Sequence, residues 1–188
     1  DPENRWLSRQ NPRRLEAEAI RDAMLAVAGK LDLTPGGAPF EGTLKSEVGF
    51  KHDSTRRSVY LAVFRMELPE IFEVFDFADP NLVVGQRNVS VLPSQSLFLL
   101  NSPFAIECSQ AAAESLLALP GLDDGARIER AYRQTLARPP RAGEKRVLLD
   151  FLAKSPTAPS ENKTDPRVIA WRTVYQALFE SLEFRRIH

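Results

Sequence analysis

Apolar side chains recur along most of this chain at helical spacing, and one long stretch breaks the period. "NPRRLEAEAIRDAMLAVAG" carries Ile20, Met24 and Val27 on one face, with Asn11 placed as a cap, Pro12 at the first helical position and Gly29 to close. The pairing of a capping residue with proline recurs at Ser102-Pro103 and Asp165-Pro166, which predicts three helix starts built alike. Proline forfeits nothing there, because first-turn amides have no partner inside the helix.

From Lys30 to Arg56 the pattern gives way to "LTPGGAPFEGTLKSEVGFKHDST", rich in turn formers, which predicts a long irregular excursion. "RSVYLAVF" (57–64) alternates as a short strand would, with a buried helical turn as the competing reading. "ELPEIFEVFDFADPN" sets Ile71, Phe72 and Phe75 on one helical face and ends in an Asp79-Pro80-Asn81 turn. After the extended "LVVGQRNVSVL", a short helix is predicted from Ser94 to Asn101. The next helix carries Phe104, Cys108, Ala111, Ser115 and Leu119 at heptad-like spacing.

Beyond it, Ile128, Ala131, Tyr132, Thr135 and Leu136 form one stripe, stopped by Pro139-Pro140. Val147, Leu148, Phe151 and Leu152 form another. After the polar linker "KSPTAPSENKT", Val168, Trp171, Tyr175, Leu178 and Leu182 line up a last helix. Short-linked helices of this kind pack as a bundle. The fold class expected is therefore mainly α: a helical bundle with a long irregular excursion and one or two short strands. Residues 1–121 are expected to form a central helical core bearing the 30–56 loop, with 122–188 as a three-helix portion packed on the same domain.

Composition narrows the function without naming it. An apolar fraction of 43% in 188 residues supports a packed core. The 25 basic and 25 acidic residues cancel, so no net field recruits nucleic acid or an anionic membrane. No apolar run approaches the roughly 20 residues of a membrane span, so membrane insertion is not expected. "DPENRWLSRQ" has no signal-peptide pattern, and a first residue other than methionine suggests a processed or excised piece. The single cysteine, Cys108, excludes an internal disulfide, a thiolate zinc cluster and CxxCH haem attachment.

No catalytic constellation emerges. His52 and His188 belong to no metal-ligand spacing, and Met24 lies on an apolar stripe rather than where a haem ligand would project, so no metal and no cofactor is expected. Met66 is assigned a surface or core role. Cys108 shares a helix face with Phe104 and Ala111 and reads as core rather than nucleophile. Neither GxSxG nor a glycine-rich phosphate loop is present. Glu67, Glu70, Glu73, Asp76 and Asp79 recur near helical spacing, as either a solvated acidic face or the carboxylate pair of a glycosidase.

Arginine outnumbers lysine 19 to 6, and the guanidinium fork suits buried pairing with carboxylates or carbonyls. Arg57 or Arg87 is expected to pair with Asp76, with an anion or sugar-acid subsite as the functional counterpart. In "RNVSVLPSQSLFLLNSPF" (87–104), Ser94 and Ser102 read as caps and Asn101 as a group that satisfies helix-end carbonyls or amides. Gln95 and Arg87 are left for a buried polar network. The site residues expected are thus Arg57, Asp76, Arg87, Gln95 and Asn101.

The ordered blocks "NPRRLEAEAIRDAMLAVAGKLD", "RRSVYLAVFR", "FEVFDFADPN", "RNVSVLPSQSLFLLNSPF" and "RIERAYRQTLARPPRAGE" resemble the planctomycete-type domain of unknown function 1553, over roughly residues 1–186. Arg57, Tyr60, Asp76, Arg87, Pro93, Gln95, Leu100, Asn101 and Pro103 are the positions that match its motifs. Ala137 stands where the "LGRxP" motif has glycine, Arg141 where a threonine or serine cap precedes Glu144, and Ser90 and Ser96 where threonine and alanine are usual. The family pattern begins before Asp1, so an N-terminal helical portion is expected to be missing here. The resemblance implies the C-terminal module of an exported multidomain protein, periplasmic or extracellular, with a c-type cytochrome domain and a further uncharacterised domain upstream, and no established catalytic residues. The function expected is a non-catalytic structural or interaction module whose partners are sister domains of the same polypeptide. The alternatives are a carbohydrate-binding or carbohydrate-active module meeting a polysaccharide, and a docking surface for the cytochrome domain.

Overall fold

The computed structural model describes residues 1–40, 44, 46–155 and 165–187. It contains seven α-helices and a single pair of very short strands among those residues, a mainly α fold. The first helix, α1 (Ala17–Val27), starts later than the Asn11-Pro12 signal predicts. Arg13–Arg14 form strand β1 instead, paired antiparallel with β2 (Arg186–Ile187) near the other end of the chain. The Leu15 amide extends the pairing by donating to the Arg185 carbonyl at 2.8 Å, and Asn11 accepts a hydrogen bond from Asn4 rather than capping. Long-range main-chain pairing thus overrides a local capping signal.

Where the chain leaves α1, Gly29 (φ +69°) takes the left-handed turn, its amide bonded to Ala26 and the Lys30 amide to Leu25, which satisfies carbonyls the helix end would orphan. The following excursion is anchored at its base. Asp32 and Arg56 form an isolated bridge, and the Arg56 guanidinium reaches back to the Ala38 and Gly36 carbonyls. Phe40, Phe50, Phe64 and His52 pack as a satellite aromatic cluster. Residues 57–64 form no strand: Ser58–Tyr60 is a 3-10 turn, closer to the competing reading, with Leu61 and Ala62 buried and Val59 and Val63 exposed.

Helix α2 (Glu70–Val74) is short, α3 spans Pro93–Asn101 and α4 Pro103–Leu117. Ser102 caps α4 by accepting from the Ala105 amide at 3.1 Å, as its sequence predicts. Ser94 caps nothing, because Pro93 already occupies the first helical position and the flanking Leu92 has no side-chain acceptor. Helix α5 (Asp124–Leu136) is capped by Asp123, α6 covers Ala142–Lys154, and α7 (Pro166–Glu180) is capped by Asp165. Two of the three predicted cap-proline starts therefore exist. The linker residues 156–164 lie outside the described residues, as does His188.

The core is one continuous cluster centred on the α4–α7 pair. Its largest fully buried side chains include Trp171, Tyr175 and Phe179 of α7, Phe72 and Phe75 around α2, and Ile20 and Met24 of α1. Helix α4 buries Ala105, Cys108, Ser109, Ala112, Ala113 and Leu116; of the predicted stripe Cys108 is fully buried, Phe104, Ala111 and Leu119 pack partly buried against the core, and Ser115 is exposed. Small side chains in that row let bulky α7 residues approach closely, so size rather than hydrophobicity selects the face. On α6, Leu148 and Leu152 pack inward while Val147 and Phe151 are exposed, so half of that predicted stripe faces solvent. On α7, Leu182 lies past the helix and is half-exposed, and Phe179 fills the expected place in the core.

Candidate functional site

Asp76 owes its position to the way α2 ends. It sits in the left-handed region at φ +60°, directly after the last helical turn. The Phe77 amide donates to the Phe72 carbonyl at 2.9 Å while the two rings stack 4.7 Å apart. A residue pair of this kind, closing on each other around a left-handed residue, is the hydrophobic form of a helix C-terminal turn, where glycine is usual and a short Asp or Asn side chain is tolerated. An aspartate here throws its carboxylate away from the helix and toward two other segments.

Those segments fill it. Asp76 accepts from Arg14 Nη1 at 2.7 Å, from the Ser90 amide at 2.9 Å and from the Ser90 hydroxyl at 2.8 Å. Arg14 also donates to the Ser90 and Phe75 carbonyls, and its guanidinium lies over the Phe75 ring. Partial burial pushes the Asp76 carboxyl up, but hydrogen bonds from the Ser90 amide, Arg14 and the Ser90 hydroxyl outweigh it and hold the group below the ordinary carboxylate range. Gln95, only 1% exposed, donates to the Val74 carbonyl at 3.2 Å and to both oxygens of Ser90, while its own oxygen faces Arg185 Nη1 at 3.4 Å. One network therefore runs Arg14, Asp76, Ser90, Gln95, Arg185, joining β1, the end of α2, α3 and the segment after α7.

Of the five residues expected from sequence, only Asp76 and Gln95 meet in this network. The arginine that pairs with Asp76 is Arg14, not Arg57 or Arg87. Arg57 is half-exposed and stands 4.0 Å from Asp22. Arg87 binds Glu18 at 2.8 Å and Glu16 at 3.2 Å and covers the Phe77 ring at 4.8 Å. Asn101 is exposed and donates to the Leu97 carbonyl at 2.9 Å, a helix-end role. Arg14 escapes sequence reading because "PRRLEAE" looks like a first helical turn. Only the distant pairing with Arg186 reveals it as strand.

Two further arginines carry structure that the sequence does not announce. Arg21, 3% exposed, donates to the Arg56 and Ser54 carbonyls and to the Ser58 hydroxyl, and neighbouring Asp22 accepts from the Ser58 amide at 2.8 Å and hydroxyl at 2.6 Å, so this pair on α1 clamps the far end of the excursion. Arg138 binds Glu144 and Glu183 with two hydrogen bonds each, joining α5, α6 and the end of α7. Hydrogen bonds from Arg138 hold Glu144 down at about 2. Glu144 also accepts from the Arg141 amide at 2.6 Å. That half of a capping box survives although arginine, which has no acceptor, cannot supply the other half.

The remaining candidates disperse. Glu67 binds the Gly49 amide at 3.0 Å and Asp79 the Asn81 amide at 2.8 Å, while Glu70 and Glu73 lie exposed on α2, so the acidic series does not converge. Cys108 is 2% exposed, and burial pushes its thiol up to about 11. Met24 is core and Met66 exposed. The His52 ring nitrogens have no hydrogen-bond partner among the described residues, and burial against Phe50 holds its pKa below the usual histidine range. Among the described residues no cluster of His, Cys, Asp or Glu could hold a metal ion, and no helix is long and apolar enough to cross a membrane.

A polar cleft of about 570 Å³ opens above the network, between residues 13–16 and 84–89. Arg13, Arg14, Glu16, Asp76 and Arg87 line it, so Asp76 and Arg87 do share a concavity without touching each other. The only aromatic residue in its lining, Phe75, is 1% exposed.

The family model described as a protein of unknown function, DUF1553 (PSD1), matches residues 1–152. No curated protein and no solved structure matches the chain. The chain belongs to the DUF1553 family, as the resemblance read from its sequence blocks implies. The match stops within α6, whereas the core also takes in α7, and the network ends in Arg185.

Proposed function

We propose that this DUF1553 member is a non-catalytic structural and interaction module that packs against sister domains of a larger exported polypeptide, in a periplasmic or extracellular setting. The observation that carries the reading is the occupancy of Asp76. Its carboxylate, in the cleft that it shares with Arg87, is spent on Arg14 and on the backbone and hydroxyl of Ser90. A general acid or nucleophile needs a lone pair or proton free to meet substrate. Partner contact is supported by bare apolar side chains at Leu82, Val83, Val89, Val91 and Leu92, a run dense enough to suggest an interaction surface. The exported, multidomain setting and the neighbouring c-type cytochrome domain rest on the family resemblance.

Incubation with a panel of plant and algal polysaccharides and simple esters tests this reading. No turnover is expected. Turnover that Asp76→Asn abolishes while leaving the circular dichroism spectrum intact would overturn it, in favour of a carbohydrate-active module working in the cleft.

A further inference from the structure

The polar network beneath the cleft is one carboxylate short. Arg14 has Asp76, and Arg87 has Glu16 and Glu18. Arg185, 5% exposed, has no acidic partner among the described residues: its contacts are the Gln95 side-chain oxygen at 3.4 Å and the Glu180 carbonyl at 3.2 Å, and its Nε has no partner. Arg13, on the cleft wall, is exposed and makes no ion pair or side-chain hydrogen bond among the described residues. Arg186 on β2 is exposed beside them. A buried cation without a counter-ion is costly, and a positive excess under a concave surface attracts and holds an anion there.

The opposite wall has a different unmet need. Residues 83–89 make no backbone-to-backbone hydrogen bond among the described residues, so their amides and carbonyls are available to a second main chain. Val84 and Val89, both exposed, line the same cleft. A saccharide would be met by an aromatic platform, and the cleft offers none, its one phenylalanine being covered. Free main-chain groups beside small apolar side chains suit a peptide added in extended form.

We infer that the cleft between residues 13–16 and 84–89 receives an extended acidic peptide segment of a partner, whose carboxylates face Arg13 and whose main chain lies along 84–89. This rests on the interaction-module reading and names the kind of partner it would take. The probe is a fluorescein-labelled peptide of alternating glutamate and valine, followed by fluorescence anisotropy on the whole chain, with a lysine–valine peptide and oligogalacturonate as the comparison ligands. Saturable binding of the acidic peptide, weakening with salt and weakened about fivefold or more by Arg13→Glu, is expected, with no binding of the basic peptide. Val89→Asp, on the other wall, weakens it independently. Equal binding of both peptides, indifference to Arg13→Glu, or binding of oligogalacturonate alone overturns the inference. Failure here with no turnover in the polysaccharide and ester panel leaves the module reading standing, whereas Asp76-dependent turnover removes that reading whatever the peptides do.

Discussion

Replacing Asp76 by asparagine keeps the side-chain shape and the tolerance for a left-handed backbone, removes the charge, and turns one of two accepting oxygens into an amide donor. Arg14, 11% exposed, keeps its bonds to the Ser90 and Phe75 carbonyls but loses its counter-ion. Hydrogen bonds to charged groups contribute about 1.5–3 kcal/mol each, and breaking a fully buried pair costs about 3–5 kcal/mol. Asp76 is 17% exposed, so water recovers part of that, and a loss of about 2–3 kcal/mol is expected for Asp76→Asn. Asp76→Ala should cost about 1 kcal/mol more, because alanine at φ +60° is strained. Arg14→Met, which keeps an apolar stem over Phe75, completes a double-mutant cycle, with an expected coupling of about 1.5–2.5 kcal/mol. Urea unfolding at neutral pH reads all four states, and a chain of this length should lose about 5–10 °C in Tm for Asp76→Asn. A cost under about 0.5 kcal/mol for Asp76→Asn, with no coupling to Arg14, would refute the claim that this carboxylate is architectural.

Ala137 ends α5 at φ +56°, so Ala137→Gly should stabilise by about 0.5–1 kcal/mol, measured as a raised urea midpoint; an unchanged or lower midpoint counts against strain there. Hydrogen bonds from Arg138 lower Glu144 to about 2 from 4.5, so its contribution is present above pH 4.5 and lost as pH falls from 4.5 toward 2. Glu144→Gln should therefore flatten the acid limb of the stability profile, and a limb of unchanged slope would show that the clamp contributes nothing. Cys108 should resist a thiol reagent in the native protein at pH 8 and react fully in urea, since burial raises its pKa to about 11; fast native labelling would place it outside the core.

The helices were legible wherever period and cap agreed locally. Ser102 and Asp165 do what their sequence says, and Ile20, Met24 and Val27 are buried as their spacing requires. Signals failed where distant chain decides. Asn11-Pro12 looks like a helix start, yet β2 pairs with the adjacent arginines and delays α1. On α4 the period places Cys108 correctly but favours Phe104 over Ala105 and Ala112, whereas packing against α7 buries the small residues. For the site, Asp76 and Gln95 stood out as polar groups inside apolar runs. Their partners Arg14 and Arg185 lie 62 residues before one and 90 after the other, a separation no local pattern bridges.

The α4–α7 pairing bears on how much of this polypeptide can stand alone. A protein cut at the end of the family match would keep the row of alanines on α4 and lose Trp171, Tyr175 and Phe179, the bulky side chains that cover it. Such a fragment would carry a slot without its filling and would tend to self-associate rather than fold. The smallest autonomous unit extends past the boundary that sequence similarity draws.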